Sequence, residues 1–396
     1  MDTWWQGLYR GISNCNLAIQ KIEEIPQDDA VKSKTLGEVH TLRALYYFYL
    51  VRMYGDVPKV TEVVSDLNDV KPSRASAKEI YDEIIIPDLI IAEASGLAWQ
   101  DNTGKVSMGA VKSLLAHVYL TYAGLPVAGG QQFYAESAKR SKEVIDNGGY
   151  TLYPEYTDMI KPANKNKGEF IWQVQFAAGI SDNDLTAKSL PQFQDIAVYS
   201  DEFGGLVPTA QFISSYPAGD KRTQERQYYY TKYPRNGSTT DTVILGGHYI
   251  YKWFDVNAVT NSAHSDLNYT IYRLADVLLM YAEAANQAEG APNAVATQSV
   301  NRIRQRADLD PIGTLSKDAF EKEVWTQRYL ELAFEGKIWF DMLRTRKVRN
   351  DLTGNFEDFI GHTTIWGKTF TENQLLFPIP LREINNNPNL TQNKGF

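Results

Sequence analysis

Residues 37–58 read GEVHTLRALYYFYLVRMYGDVP, and their apolar spacing is the strongest structural signal in the sequence. The apolar side chains recur at intervals of three and four, which places them on one face of an α-helix that must be buried against a neighbour. This stripe consists of Leu42, Leu45, Tyr46, Tyr49, Leu50 and Met53. Gly55 followed by Pro58 ends the helix, because proline cannot continue it.

The same spacing returns twice, so this helix is one of a set. The second stripe consists of Val111, Leu114, Leu115, Val118, Tyr119 and Tyr122, and the third of Ile271, Leu274, Ala275, Leu278, Leu279 and Ala282. Further helices are predicted over residues 7–25, 77–94, 133–146, 294–307 and 317–342. Residues 109–122 with 133–146, and 271–288 with 294–307, form pairs similar in length to tetratricopeptide units. The sequence therefore predicts a mainly α fold built on tetratricopeptide-like helix pairs with minor β-structure.

Composition and charge are those of a folded globular chain. Of the 396 residues 43% are apolar, 22% charged and 12% aromatic, which excludes a disordered or fibrous protein. The 40 Lys and Arg residues against 48 Asp and Glu residues give a net charge of -8. A negative chain has no general attraction for phosphates, so we expect no nucleic-acid partner.

Cysteine content and hydropathy limit the membrane and redox options. The single cysteine, Cys15, excludes an intramolecular disulfide, and we expect it to be a buried or half-buried helical residue. Residues 4–14 have neither the positive start nor the apolar run of a signal peptide. No run of about 18 apolar residues occurs, so no membrane-spanning helix is predicted.

The character of the chain changes between residues 162 and 268, where helical periodicity disappears and Gly, Pro, Asn, Asp and aromatic residues crowd together. Within this stretch residues 169–176 alternate like a β-strand. A loop-rich stretch of about 100 residues exceeds what connection requires, so we expect it to carry function. We divide one structural unit, residues 1–396, into N-terminal helix pairs (1–161), a loop-rich ligand region (162–268), C-terminal helix pairs (269–349) and an irregular C-terminal segment (350–396).

Six blocks of the sequence together resemble one family. The first runs from Gly37 to Pro58, and the others follow in that family's order. They are residues 143–148 (EVIDNG), 273–284 (RLADVLLMYAEA), 301–307 (NRIRQRA), 331–341 (ELAFEGKIWFD) and the closing 377–396 (FPIPLREINNNPNLTQNKGF). Apolar helices resemble one another by chance, but six blocks in order over nearly the whole chain are specific. The chain resembles the SusD/RagB family.

The resemblance implies a non-catalytic protein on the exterior face of a Bacteroidota outer membrane, held there by an N-terminal lipid. Such proteins resemble lids on a SusC-like, TonB-dependent transporter, for which they capture glycans or, less often, peptides. It implies no cofactor and no metal. The sequence departs from the family pattern at His40-Thr41 and Gln327-Arg328. The family's signal peptide, lipidated cysteine and first mature residues are missing before Met1, so the anchor is expected to lie outside this chain.

Exposed aromatic rings are the feature that a glycan site requires. A neutral sugar stacks its C–H face on flat rings, and its hydroxyls bond to amides and carboxylates. The candidate residues in the loop-rich region are Asn183, Phe193, Asp195, Tyr199, Phe203, Tyr233 and Trp253. The resemblance adds Trp4 and Trp5, which stand in a stretch that lies near the ligand platform of related proteins. The alternation of Tyr228-Tyr229-Tyr230 predicts that at least one of these rings is exposed.

Alternative interpretations stay open at this point. The aromatic rings of the loop-rich region form either a ligand surface or a small core beneath the loops. A tetratricopeptide adaptor for peptides or proteins would have a polar concave helix face and internally packed aromatic loops. A glycoside hydrolase would need two opposed carboxylates in a cleft.

Other enzyme classes are disfavoured by missing motifs. The five histidines show no HExxH or comparable pair, and the P-loop, G-x-G-x-x-G and G-x-S-x-G motifs do not occur. The residues Arg328, Glu331 and Glu335 are interpreted as helix-surface or inter-helix ion pairs rather than as acid–base machinery.

Overall fold

Helices carry most of the regular structure, which confirms the predicted mainly α fold. A computed structural model describes residues 2–63 and 71–396. Thirteen α-helices occur in these two ranges, and they are α1 (Asp2–Ile22), α2 (Asp29–Tyr54), α3 (Ala77–Ile80), α4 (Ile86–Glu93), α5 (Met108–Ala123), α6 (Gln131–Asn147), α7 (Leu185–Ser189), α8 (Ala210–Ser214), α9 (Leu274–Glu289), α10 (Ala294–Arg306), α11 (Lys317–Glu331), α12 (Ile338–Thr345) and α13 (Leu381–Asn386). None of the helices described is both long and apolar enough to cross a membrane.

The β-structure is minor and consists of short antiparallel pairs. The strands within the described ranges are β1 (Val57–Pro58), β2 (Arg74–Ala75), β3 (Phe170–Val174), β4 (Tyr229–Pro234), β5 (Thr242–Ile250), β6 (Tyr269–Arg273), β7 (Lys347–Arg349) and β8 (Phe356–Asp358). They pair as β1–β2, β3–β6, β4–β5 and β7–β8. The strand predicted over residues 169–176 is therefore confirmed as β3.

Helix α2 forms where the quoted stretch predicts it, but its most buried face differs from the predicted stripe. Asp28 caps its N-terminus by accepting from the Ala30 N–H, and Gly55 ends it with a φ of 73°. Ala44, Tyr47 and Phe48, outside the stripe, are as fully buried as the stripe residue Leu50, whereas four of the six stripe residues are only half-buried. The helix is apolar on several sides because α1 packs on one side of it and α4 and α5 on others.

The predicted helix pairs pack as pairs. α5 contacts α6, α9 contacts α10, and α6 joins the two pairs by packing on α9. The Ser137 hydroxyl of α6 donates to the Ala116 carbonyl of α5 at 2.8 Å. The buried Ala116, Ala282 and Ala285 have the small side chains that let helix backbones approach. Cys15 is buried in α1, as predicted.

Two predicted helix boundaries are wrong. Ile271 lies in β6, because residues 269–273 pair with β3 and the chain becomes helical only after Arg273. Residues 317–342 form two helices, since Phe334 and Gly336 adopt φ values of 64° and 70° between α11 and α12. A left-handed residue cannot continue a right-handed helix, so the chain turns there.

A central charge cluster holds the loop-rich region against the C-terminal helices. It consists of the buried side chains of Glu169, Asp220, Arg222, Lys252, Arg273, Arg306, Glu331 and Glu335. The Arg273 guanidinium donates to Glu169 at 3.0 Å, to Glu331 at 2.8 Å and to Glu335 at 2.7 Å. Lys252 donates to Glu335 at 2.7 Å. The central charge cluster contains four acidic and four basic side chains, so its charges cancel, as buried charges must.

The predicted structural role of Arg328, Glu331 and Glu335 is confirmed by their contacts. Glu331 and Glu335 belong to the central charge cluster. Arg328 forms separate ion pairs with Asp276 of α9 and Asp341 of α12. These pairs join helices and leave no carboxylate of the three-residue set free for acid–base chemistry.

The central charge cluster predicts a loss of stability in acid. Burial opposes ionisation, but the charges of Arg306 and Arg273 hold the pKa of Glu331 well below its usual range, and Arg273 and Lys252 lower the pKa of Glu335. The unfolded chain, whose glutamates have an ordinary pKa of about 4.3, therefore takes up protons that the folded chain does not. We expect the free energy of unfolding to fall between about pH 5 and about pH 3.5. Urea denaturation followed by circular dichroism measures this, and a midpoint that stays constant over that interval would contradict it.

Candidate functional site

Three exposed aromatic residues, Phe193, Tyr199 and Phe203, lie on one loop, residues 190–206, which we call the aromatic loop. It follows α7 directly and has no helix or strand of its own. The Glu202 carboxylate holds it by accepting from four successive backbone N–H groups. The donors are Gln194 at 2.6 Å, Asp195 at 3.0 Å, Ile196 at 2.6 Å and Ala197 at 2.9 Å. Bonds to a charged acceptor are stronger than neutral ones, so one side chain fixes the loop's conformation.

Further contacts close the aromatic loop at its base. The Gly204 N–H donates to the Leu190 carbonyl at 2.9 Å, and the Phe203 N–H to the Ala187 carbonyl at 3.1 Å. A Cβ on Gly204 would stand 2.9 Å from the Cβ of Gln192, so a larger residue would force the two ends apart. Phe193 follows Gln192 and Phe203 precedes Gly204, so the contact between Gln192 and Gly204 brings the backbones of the two phenylalanines close together.

The backbone of the aromatic loop is left-handed at two of the candidate residues. Phe193 has a φ of 53° and Asp195 a φ of 57°. A bulky residue with positive φ is an uncommon and costly conformation, of order 1–3 kcal/mol. The four bonds to Glu202 stabilise this arrangement, which turns the Phe193 side chain outward.

Three rings of the aromatic loop face solvent. Phe193 is 83% exposed, Tyr199 59% and Phe203 55%. The backbone at Tyr199 is fixed by two hydrogen bonds, since the N–H groups of Val198 and Tyr199 both donate to the Val259 carbonyl. Together with Trp4, they are the candidate rings that are exposed, as the sequence prediction requires.

Polar groups stand beside these rings where the aromatic loop meets the tip of the β4–β5 hairpin. The exposed Asp195 carboxylate pairs with Arg235 at 3.2 Å, and Arg235 also pairs with Asp241 at 2.8 Å. The Asn236 N–H donates to the Asp195 carbonyl at 2.7 Å. The carboxylate and guanidinium groups are exposed, so they can exchange their mutual contacts for sugar hydroxyls.

A groove of about 640 Å³ adjoins the aromatic loop between α8 and β5, and we call it the hairpin groove. It owes its shape to an irregularity in the hairpin: Tyr230 pairs with Tyr249 and Lys232 with Ile244, so residues 245–248 stand opposite Thr231 alone. Gly246 supplies the positive φ, 68°, that the bulge needs. The groove was missed from the sequence, although the adjacent Gly246-Gly247 in a strand is a signal for a bulge.

The lining of the hairpin groove is chemically simple. Hydrogen-bonding side chains come from Ser214, Thr231, His248 and Tyr249, and the apolar wall includes Val207 and Ile244. Among the described residues, neither Asp nor Glu lines it. The groove therefore offers hydrogen bonds and contact area, but it does not provide the carboxylate pair of a glycoside hydrolase.

Four candidate residues are buried, so the exposure that the sequence prediction required of them is wrong. Trp253 stacks on Tyr269 with ring centroids 5.8 Å apart, and its indole N–H donates to the Phe334 carbonyl at 3.1 Å. Tyr233 packs on Phe254 at 4.7 Å. The Asn183 amide donates to the Leu267 carbonyl at 2.7 Å. Trp5 packs edge-on against Tyr54 at 4.9 Å.

All three rings of Tyr228-Tyr229-Tyr230 are also buried, which contradicts the prediction that one is exposed. Both faces of β4 are covered by small aromatic cores. Tyr228 and Tyr229 pack in a cluster with Phe212 and Trp253. Tyr230 packs in another with Leu190, Ile196 and Phe254. For these rings the alternative of a core beneath the loops holds.

Trp4 is exposed, as the sequence prediction requires. It stands in the first turn of α1, and its ring centroid is 6.0 Å from that of Tyr49 in α2. The role of Trp4 in ligand binding stays a prediction, and the candidate site that the proposal uses consists of the aromatic loop and the hairpin groove.

Family models match both ends of the chain. The model described as "SusD family" matches residues 218–396. The model described as "Starch-binding associating with outer membrane" matches residues 1–120. A crystal structure of a SusD superfamily protein from Parabacteroides distasonis ATCC 8503 superimposes with a TM-score of 0.96 and 54% sequence identity, over 100% of this chain and 86% of that one. The chain belongs to the SusD family.

Two further members of the SusD family show how far the similarity extends. SusD-like protein P38 of Formosa agariphila is 28% identical over 430 residues, which cover 99% of this chain and 79% of that protein. The structure titled "Laminarin binding SusD-like protein" has a TM-score of 0.77 and 24% identity, over 100% of this chain and 86% of that one. At this identity the second comparison shows a shared SusD fold.

Proposed function

We propose that this SusD-family protein captures a neutral glycan on the aromatic loop and in the hairpin groove and does not alter it. It then delivers the glycan to a SusC-like, TonB-dependent transporter on the exterior face of the outer membrane, where an N-terminal lipid holds it. The observation that carries the proposal is the set of three outward rings on a loop whose backbone is fixed by the single carboxylate of Glu202.

Rigidity of the aromatic loop supports binding. A mobile loop loses conformational entropy when a ligand orders it, and this cost makes the binding free energy less favourable. Here the four bonds to Glu202 order the loop before a ligand arrives. Each ring then contributes stacking of about 1 kcal/mol, so three rings supply about 3 of the roughly 4–8 kcal/mol that correspond to mM to µM binding, and hydrogen bonds to the sugar hydroxyls supply the rest. Affinity in this weak range permits release to a transporter.

The comparisons support a carbohydrate ligand and a place at the outer membrane. One matching family is described as starch-binding and associating with the outer membrane, and one structural relative is described as laminarin binding. The two descriptions name different glucans, so the glycan of this chain is tested best with a panel.

The exposed rings also separate capture from its two alternatives. A peptide adaptor predicts aromatic loops that pack internally, whereas Phe193, Tyr199 and Phe203 point outward. A glycoside hydrolase needs opposed carboxylates, and none lines the hairpin groove in the part of the chain that the structure describes. Both observations favour non-catalytic binding, which requires no cofactor and no metal.

Replacing the exposed rings is expected to weaken glycan binding without changing stability. Phe193→Ala, Tyr199→Ala and Phe203→Ala each remove one stacking surface, and we expect each to lower affinity about fivefold, equivalent to about 1 kcal/mol. Because these rings are exposed, the melting temperature should stay within about 1 °C. Affinity electrophoresis across starch, laminarin and other polysaccharides measures binding, and differential scanning calorimetry measures stability.

The matched control is Trp366→Ala, which removes an exposed ring from the C-terminal segment. Its retardation should equal that of the unaltered protein. Unchanged retardation of all three aromatic-loop variants on every polysaccharide that binds would overturn the proposed site. Reducing sugar released during the same incubations would overturn non-catalytic capture and indicate hydrolysis.

A further inference from the structure

A second cavity lies far from the aromatic loop in sequence, and we call it the arginine cavity. It has a volume of about 380 Å³ and is enclosed by the end of α2, the Leu125-Pro126 turn, α12 and the C-terminal segment. Its lining shares no residue with the aromatic loop or the hairpin groove. The volume is that of an ordinary small-molecule site, about 300–1,000 Å³.

The walls of the arginine cavity are largely aliphatic. They include Val51, Leu125, Leu343, Leu375 and Leu376. Flat stacking surfaces of the kind that sugars use are few there, because Tyr81 and Phe340 are its only aromatic lining residues within the described ranges. Such walls suit an alkyl or aryl group better than a hydroxylated ring.

The polar part of the lining is strongly positive although the whole chain has a net charge of -8. The cationic lining residues are Arg52, Arg74, Arg344, Arg346 and Lys394, and the single acidic one among the residues described is Asp56. A cavity with one sign of charge and apolar walls concentrates the opposite ion. The lining therefore selects anions against the overall charge of the molecule.

Three of these cations already have hydrogen-bond or ion-pair partners within the protein. Arg74 donates to the carbonyls of Asp56, Thr391 and Tyr54 and to the Asn393 side chain. Arg344 pairs with Glu283 and Asp341, and Lys394 with Glu372. The donors of Arg74 and Arg344 hold the protein together and leave little for a ligand, whereas Lys394 is exposed at the edge of the cavity.

Arg52 and Arg346 keep free donors. Arg52 donates its Nε–H to the Phe48 carbonyl at 3.2 Å, and its guanidinium lies over the rings of Phe48 at 3.8 Å and Phe340 at 4.2 Å. Arg346 makes one side-chain hydrogen bond, to the Leu343 carbonyl. Neither guanidinium lies within 4.0 Å of a carboxylate of the described residues. Burial without an anionic partner lowers the pKa of Arg346.

We infer that the arginine cavity binds an organic carboxylate with an apolar body. The carboxylate oxygens accept hydrogen bonds from the free donors of Arg52 and Arg346, a pairing for which guanidinium has the matching geometry. The apolar body packs on the leucines. This site and its ligand are separate from glycan capture, and the inference does not depend on the proposed function.

Octanoate is the probe, titrated into the full chain by isothermal titration calorimetry. We expect one saturable site, with binding of octanol, which lacks the charge, and of inorganic phosphate, which lacks the apolar body, at least about tenfold weaker. Octanol that binds as well as octanoate would overturn the inference, because the arginines would then contribute nothing to binding. Phosphate that binds as well would also overturn it, because the aliphatic walls would then contribute nothing.

Variants locate the site. Arg346 has a φ of 55°, so Arg346→Asn removes the charge while retaining a residue that tolerates this backbone. We expect Arg346→Asn to lower the affinity for octanoate about tenfold or more and Arg346→Lys to restore part of it. The control Arg10→Met, which removes an exposed surface charge, should leave the affinity unchanged.

Ala77→Leu narrows the cavity without altering either arginine and should also lower the affinity for octanoate. Full binding by Arg346→Asn or Ala77→Leu would overturn the inference.

Discussion

Replacing Arg273 by methionine is expected to remove about 3–5 kcal/mol from the free energy of unfolding, because it leaves the four buried acids of the central charge cluster with three cations and hence with an uncompensated charge. The Arg273 guanidinium donates to the carboxylates of Glu169, Glu331 and Glu335 and to the Glu331 carbonyl. Methionine fills similar space but supplies no positive charge, so three fully buried acidic groups would share the remaining cations. Urea denaturation at neutral pH measures the loss.

The matched control is Lys142→Met, which removes a cation from the exposed pair that Lys142 forms with Asp146 on α6. Exposed pairs of this kind contribute at most about 0.5 kcal/mol, so the control should unfold with the unaltered protein. Equal midpoints for the two variants would show that the central charge cluster is not what holds the loop-rich region in place.

Replacing Trp253 by alanine is expected to cost about 3–5 kcal/mol of stability, the range for truncating a buried aromatic residue. The ring stacks on Tyr269, and its N–H donates to the Phe334 carbonyl. Truncation opens a cavity and leaves that carbonyl without its donor. The variant should melt well below the unaltered protein, while its folded fraction at low temperature should bind glycan normally.

Tyr199→Ala is the matched comparison, since it truncates an aromatic residue of the same region that is exposed. It should show the reverse pattern, with weakened glycan binding and a change in stability of less than about 0.5 kcal/mol. If Trp253→Ala lost glycan binding at full stability, the stacked indole would belong to the binding surface and the assignment to the core would be wrong.

Local periodicity predicted the elements that depend on neighbouring residues. The helix of residues 37–54, its end at Gly55 and the strand at residues 170–174 follow from spacing and turn chemistry. The division of the chain at residues 162, 269 and 350 stays a prediction.

Long-range contacts decided what the sequence prediction missed. Residues 269–273 become a strand because β3, about 100 residues earlier in the chain, pairs with them. The break after α11 places Glu335 in the central charge cluster. Most other members of this cluster lie far earlier in the sequence, between Glu169 and Arg306. Such partners are not visible in a window of one helix or strand.

The same limit applies to the candidate site. Composition correctly predicted the region of the exposed rings, but whether a given ring is exposed depends on residues far away in the chain, such as Phe334, whose carbonyl accepts from the buried Trp253. The role of Glu202 gave no sequence signal, because an acid in a loop is ordinary until four backbone N–H groups turn toward it. Gly246-Gly247 did carry a signal, since glycines within a strand mark bulges.

Because the charges that anchor the ligand-bearing loops come from both sides of the boundary at residue 269, those loops are not a transplantable module. Grafting residues 162–268 onto another scaffold would leave Glu169 without Arg273 and Arg306, and Lys252 without Glu335. Exchange of specificity between relatives is therefore expected to proceed by substitution on the surface of the aromatic loop, or by recombination that carries residues 162–335 as one piece.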